Sequence, residues 1–447
     1  MASSFDGLAK LVVDKAQELG ASHSEAFLIR SKNLSIDVRA GAVETLKLAE
    51  DRGLGVRIFR DGRIGFAYTS DLGETAINEI VRQALANSEK TTPDEFNIMP
   101  APGRQYDEMD LFDPQISQVS VEEKIDIAKR IEKSAVDSDK RITITERSSY
   151  FDAEYEVALA NSLGIMTSYQ GAYCGCYADL VAEENGDNQT GFALKIGLRY
   201  NELDPEKIGQ EAAQKAVRKL GAKSVNTQKA VIVFDPYIGT SFLGIIAPGL
   251  SAEAVQKGKS LFAGRVGQKV SSDKITIIDY GSMPEGIASS PFDGEGVPTT
   301  KTVLVQNGEL MGYLHNTYTA AKDKVWSTGN STRNSFKSTP EIGITNFFIE
   351  PGATHPDDLI KDITTGLYVT DVMGMHTANP ISGDFSVGAS GIWIENGKFT
   401  KPVRGIAIAG NILDILNEVE DVGSDLTFFG SKGSPTIRVS RMMISGS

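Results

Sequence analysis

The sequence predicts an α+β protein in two parts. An N-terminal α+β domain with an antiparallel sheet is expected over residues 1–225, and a mostly-β C-terminal domain, a sheet or open barrel with a few helices, over 226–447. Three observations carry this. Short runs of alternating apolar and polar residues, the period of a half-buried strand, recur along the chain. Asx-Gly pairs fall between such runs at Asp61-Gly62, Asn307-Gly308 and Asn396-Gly397, where tight hairpin turns need residues that tolerate positive φ. The second half is rich in glycine and strands and poor in long helices.

Taken in order, residues 5–19 carry the period of an amphipathic helix. EAFLIR, LSIDVRA and VETLKLAE follow as short alternating runs, and DRGLGVRIFRDGRIGFAYTS reads as a hairpin turning at Asp61-Gly62. Residues 72–90 are helical in period. The proline-rich, polar segment TTPDEFNIMPAPGRQYDEMDLFDPQ reads as a long surface loop. Ser120 and Glu123 then form a capping box opening a helix to about residue 138, because each side chain can satisfy a backbone N–H left unpaired at the helix start. From RITITERSSY to KIGLRY the chain is strand and turn, as in an antiparallel sheet. A helix over 205–220 and the linker KSVNTQ precede KAVIVFDP, a continuous apolar strand, which sets the boundary near residue 225. Beyond it lie the hairpins KTVLVQNGELMGYLHN and GIWIENGKFTKPVRG, with helices expected at 356–365 and 411–420.

Bulk properties exclude several functions. A length of 447 residues gives room for two or three domains of roughly 150 residues each. The net charge of −14 opposes a nucleic-acid surface, which is normally basic. No window approaches 18 uninterrupted apolar residues, so no membrane span is expected, and MASSFDGLAKLVVDKAQELG lacks the basic start of a signal peptide. The two cysteines, Cys174 and Cys176, are too few for a disulfide scaffold and sit side by side on a strand, which suits reduced thiols and a cytoplasmic location.

Motifs for common chemistries are missing. The four histidines, His23, His315, His355 and His376, include no i, i+4 pair, so no HExxH helix is present. His376 lies in MGMHTANPISGDFSVGASG, where it could meet His315 or Asp384; Ser382 and Ser386 nearby read as turn residues and not nucleophiles. No strand–turn–helix setting holds a phosphate-binding glycine motif. A free sheet edge that binds an extended peptide is permitted by this composition.

The stretches AQELGASHSEAFL, RGLGVRIFRDGRIGFAYTSDL, LSAEAVQKGKSLFAGRVGQKV, DGEGVPTTKTVLVQNGELMGYLHN and NPISGDFSVGASGIWIENGKFTKPVRGI together resemble the TldD/PmbA family, and within it the TldE (PmbA) branch. The resemblance spans essentially the whole chain. It implies an N-terminal α+β domain, a mostly β C-terminal domain and a cleft between subunits. It also implies a complex in which TldD-like zinc peptidases, using an HExxxH helix and a C-terminal cysteine, pair with TldE-like chains to trim unfolded peptides. Members have in addition been named modulators of DNA gyrase.

Laid on this sequence, HExxxH falls on Ala252-Glu253-Ala254-Val255-Gln256-Lys257. Both imidazole positions are lost, and Lys257 brings an ammonium where a dication would sit. No cysteine follows Cys176; the corresponding segment reads FFGSKGSPTIRV. In such a peptidase the glutamate deprotonates a water whose pKa zinc lowers to about 7, so Glu253 is expected instead to pair with Lys257, four residues along the helix. The expectation is a non-catalytic subunit with no metal and no cofactor, whose partners are a TldD-like subunit, an unfolded peptide or a second copy of itself. Its candidate peptide or partner surface is the loop holding His376, Asn379, Pro380, Ser382, Gly383, Asp384 and Phe385. An active metallopeptidase with an atypical site that uses His376, and a binding protein that modulates gyrase, are the alternatives.

Overall fold

The computed structural model describes residues 5–103 and 105–446. Arg104, within the long proline-rich loop, and the first four residues lie outside that range. The first half is one six-stranded antiparallel sheet. Its strands are β1 (His23–Arg39), β2 (Ala42–Arg60), β3 (Arg63–Thr69), β4 (Ile142–Asn161), β5 (Met166–Glu184) and β6 (Asp187–Gly197), in the spatial order β3-β2-β1-β4-β5-β6. Asp61 and Gly62 turn β2 into β3 with φ of 51° and 72°, the left-handed pair a two-residue hairpin demands.

Strand length departs from the sequence reading. EAFLIR and LSIDVRA are not separate strands but parts of the 17-residue β1, and VETLKLAE runs into the hairpin arm as the 19-residue β2. The polar joints, Ser31–Asn33 and Glu50–Arg52, lose the alternation because their side chains meet solvent or half-exposed surface. Backbone pairing continues regardless: Ser31 faces Asp51 on one side and Tyr155 on the other.

Period-2 alternation sends one face of this sheet to a layer of helices. The helices are α1 (Phe5–Glu18), α2 (Glu74–Ser88), the short α3 (Gln115–Gln118), α4 (Val121–Ser138) and α5 (Pro205–Val217). Ala26, Leu28, Val56 and Ile58 pack with α1 and α2, while Ile36, Tyr150, Cys174, Cys176 and Leu180 pack with α4 and α5. Ser120 and Glu123 form the expected reciprocal cap of α4. The two thiols are free and buried, and burial pushes each up to about 12.

The opposite face of the sheet, with Phe27, Val157 and Leu159, packs against Phe292 and Phe336 from the second half. The contact includes a buried ionic cluster. Arg57 on β2 donates to Glu25 on β1 at 2.8 Å and to Glu295 at 3.1 Å, and Arg333 donates to the other oxygen of Glu25. Burial opposes the charge on Glu25, but the guanidinium groups of Arg57 and Arg333 overcome it and hold the carboxyl below its usual range. Asp293, fully buried beside them, is pushed up to about 7 by burial and by the neighbouring Glu295.

The second half contains a closed five-stranded barrel. Gln228–Phe234 pairs in parallel with Thr365–Met373 and antiparallel with Ile437–Ser445. Asp384–Glu395 and Lys398–Asn411 continue the sheet, and Ala407 and Ile408 close it onto Ser445 and Ile444. The sequence left a sheet or an open barrel possible; closure removes the unpaired edges an open sheet would leave. A second six-stranded sheet, from Ile277–Tyr280 through Lys432–Ser434, lies alongside. Helix α6 (Pro236–Ile246) is buried between the two, with Phe242 against Phe234 and Phe385.

Two helices differ from expectation. Residues 356–365 form only a 3-10 turn, Pro356–Ile360, before the barrel strand begins at Thr365. The β-branched Thr364 and Thr365 followed by Gly366 favour an extended chain over further helix. The helix expected at 411–420 is shorter, Ile412–Asn417, and is the last of three short ones that follow α6: α7 (Ala252–Gln256), α8 (Thr317–Asp323) and α9 (Ile412–Asn417).

Candidate functional site

The sequence LSAEAVQKGKS builds α7 and stops it early. Ser251 bridges to Leu314 through the backbone, and the Ala252 N–H donates to the Leu314 carbonyl at 3.0 Å, which anchors the first turn. Ala252 is fully buried. Gly258 adopts φ of 66°, and the Lys259 N–H folds back onto the Ala254 carbonyl at 2.8 Å, so the helix ends after Gln256. The Gln256 side chain ties the helix to α8 through the Thr319 carbonyl.

Glu253 and Lys257 meet as the spacing implies: the ammonium donates to the carboxylate at 2.6 Å. The hydrogen bond to Glu253, more than simple charge attraction, raises the Lys257 pKa. Both side chains are about half exposed, 48% and 59%, so the pair contributes only about 0.3–0.5 kcal/mol.

These residues rim a cleft of about 530 Å³. Its apolar wall is Ala247, Pro248, Leu314, Ile342 and Ile344, and its charged rim is Glu253, Lys257, Lys259 and Lys432. Lys432 comes from FFGSKGSPTIRV, so the fold brings that segment to the same cleft as α7. Nothing in the sequence flags Lys432 or Lys259; only the joining of two segments more than 170 residues apart reveals them.

The loop at 376–385 is placed differently. His376 sits in an exposed 3-10 turn, Met375–Thr377. The Asn379 carboxamide oxygen accepts from the Ile381 N–H at 2.9 Å, and Asp384 accepts from the Ser382 hydroxyl at 2.7 Å and from the Asn411 side chain at 2.9 Å. Those two hydrogen bonds, Asn411 first, hold Asp384 below its usual range. Gly383 is tied by backbone bonds to Asn379 and Ile412. Phe385 corrects the sequence reading. It is 5% exposed and packs edge-on against Phe242, because its strand position faces the core around α6, so it is not available to a partner. His376 does not join His315. His315 is buried, its ring Nδ1 has no hydrogen-bond partner, and burial lowers its pKa.

Fold and site define a protein of the PmbA/TldD class, and comparison with known proteins bears this out. Residues 227–446 match the "PmbA/TldA metallopeptidase C-terminal domain", 114–220 the central domain and 24–88 domain 1. The chain belongs to the PmbA/TldD family. It is 31% identical to "Metalloprotease PmbA" of Escherichia coli O157:H7, over 97% of this chain and 95% of that one. In Haemophilus influenzae it is 29% identical to the PmbA homologue and 24% to the TldD homologue. A crystal structure from Thermotoga maritima, described as a modulator of a DNA gyrase, superposes with a TM-score of 0.91 at 28% identity, covering 99% of this chain and all of that one. TldE from Thermococcus kodakarensis shares the fold, with a TM-score of 0.91 over 98% of this chain at 24% identity.

The family implies a metal, and the cleft does not suit one. Its single carboxylate is paired to Lys257, and its other charged groups are ammonium ions, which repel a dication and offer it no lone pair. Among the described residues, no group of three or more His, Cys, Asp or Glu side chains is placed to hold a metal ion.

Proposed function

We propose that this chain is a non-catalytic TldE-like subunit that pairs with a TldD-like metallopeptidase and completes a cleft for unfolded peptides. The observation supporting this is the rim of the cleft at α7. The Glu253 carboxylate is held by Lys257, with Lys259 and Lys432 on the same cleft, a set of side chains that offers a zinc ion no free donor. Residues 1–225 and 226–447 act as its two domains, joined through the buried Glu25–Arg57–Glu295–Arg333 cluster, and the exposed part of the 376–384 loop is the candidate partner surface. The reading of an active peptidase built on His376 finds no support in the placement of that side chain.

The test is co-expression with a TldD-like subunit, followed by casein digestion by each chain alone and by the pair. The expected result is co-purification, proteolysis by the pair that a chelator abolishes, and none by this chain alone. Chelator-sensitive digestion by the isolated chain overturns the reading.

A further inference from the structure

The cleft at α7 is lined by two kinds of side chain: apolar ones, Ala247, Pro248, Leu314, Ile342 and Ile344, and charged ones, three ammonium groups against one carboxylate. Lys257 is neutralised by Glu253. Among the described residues, neither Lys259 nor Lys432 has a carboxylate within ion-pair distance. In a chain of net charge −14 this leaves a local excess of two positive charges around one cavity. Gly244 on the buried α6 lies beside Lys432: a Cβ there would stand 3.2 Å from its ammonium. The volume, about 530 Å³, falls within the range of roughly 300–1,000 Å³ typical of ligand pockets.

Uncompensated ammonium groups beside an apolar wall match an oxyanion attached to an apolar group. We propose that this cleft binds the C-terminal carboxylate of a peptide whose last residue is apolar, with Lys432 and Lys259 as the cationic contacts and Ile342 and Ile344 against the terminal side chain. That the oxyanion belongs to a peptide rests on the proposed function; the oxyanion chemistry itself rests on the cleft.

The experiment is fluorescence anisotropy with the full chain and a labelled hexapeptide ending in leucine, as the free acid and as the C-terminal amide, with inorganic phosphate as a third arm. The free acid is expected to bind at least about tenfold more tightly than the amide, because hydrogen bonds from an ammonium to a carboxylate are stronger than those a neutral amide accepts. Lys432→Gln should erase the difference and Lys432→Arg should retain it, which separates lost charge from lost folding. Equal binding of acid and amide, or binding of neither, overturns the proposal. So does displacement by phosphate with no preference for the acid, which would mark a free-anion site. Co-purification with a TldD-like subunit is an independent readout: its failure alongside a clear acid preference would sink the proposed function and leave this site standing.

Discussion

Arg57 gives the sharpest test of what joins the two halves. Its guanidinium serves Glu25 from the first sheet and Glu295 from the second half, with exposures of 7%, 1% and 2% for the three side chains. Arg57→Met keeps most of the volume but strips both carboxylates of a partner. Glu25 is left with Arg333, and Glu295 with the Thr317 N–H at 2.9 Å. Breaking a buried pair from one side costs about 3–5 kcal/mol when a surviving charge stays desolvated without a counter-charge, as Glu295 would here. Arg30→Met is the control: Arg30 pairs with Glu156 but is 61% exposed, and such pairs contribute about 0–1 kcal/mol. The assay is equilibrium urea unfolding followed by far-UV circular dichroism and by tryptophan fluorescence. Both tryptophans, Trp326 and Trp393, lie in the second half, so the two probes separate if the halves uncouple. The expected result is a large fall in midpoint for Arg57→Met and little change for Arg30→Met. A loss under about 1 kcal/mol for Arg57→Met would refute the reasoning, since it would mean that water reaches the cluster and screens it.

Glu253→Gln should lower stability by no more than about 0.5 kcal/mol and leave proteolysis by the co-purified pair unchanged, measured by urea unfolding and casein digestion. Asp293 should impose a pH dependence of definite sign: its folded-state pKa is raised to about 7, so its contribution is fully present below about pH 4 and is lost as pH rises through 7, a descending limb that Asp293→Asn should remove from unfolding curves taken across that range. Glu25, lowered in the folded state, acts with the opposite sign and loses its contribution as pH falls. Cys174 and Cys176, pushed up to about 12, should resist a thiol reagent at pH 8 in the native protein and react fully in denaturant, with fast native labelling as the contrary result.

Much of the fold was legible because local chemistry is strong where the chain turns and where helices begin. Asp61-Gly62, Asn307-Gly308 and Asn396-Gly397 each adopt the positive φ values that only such pairs accept cheaply, and Ser120 with Glu123 caps α4 as its spacing dictates. Alternation failed where strands pass through solvent, as at Ser31–Asn33, because backbone pairing holds a strand that its side chains no longer announce.

The sequence by itself determined the α+β class and the family, since these depend on residue identity and on local spacing. It also determined the Glu253–Lys257 pair, which four residues of helix bring together. Only the tertiary structure decided that the barrel closes, that Phe385 turns inward, that Lys432 joins α7 at one cleft, and that Glu25, Arg57, Glu295 and Arg333 meet. Those contacts link positions tens to hundreds of residues apart. Whether a lysine faces solvent, a carboxylate or an open cleft is set by which surfaces the packed sheets bring together, and no local periodicity encodes it.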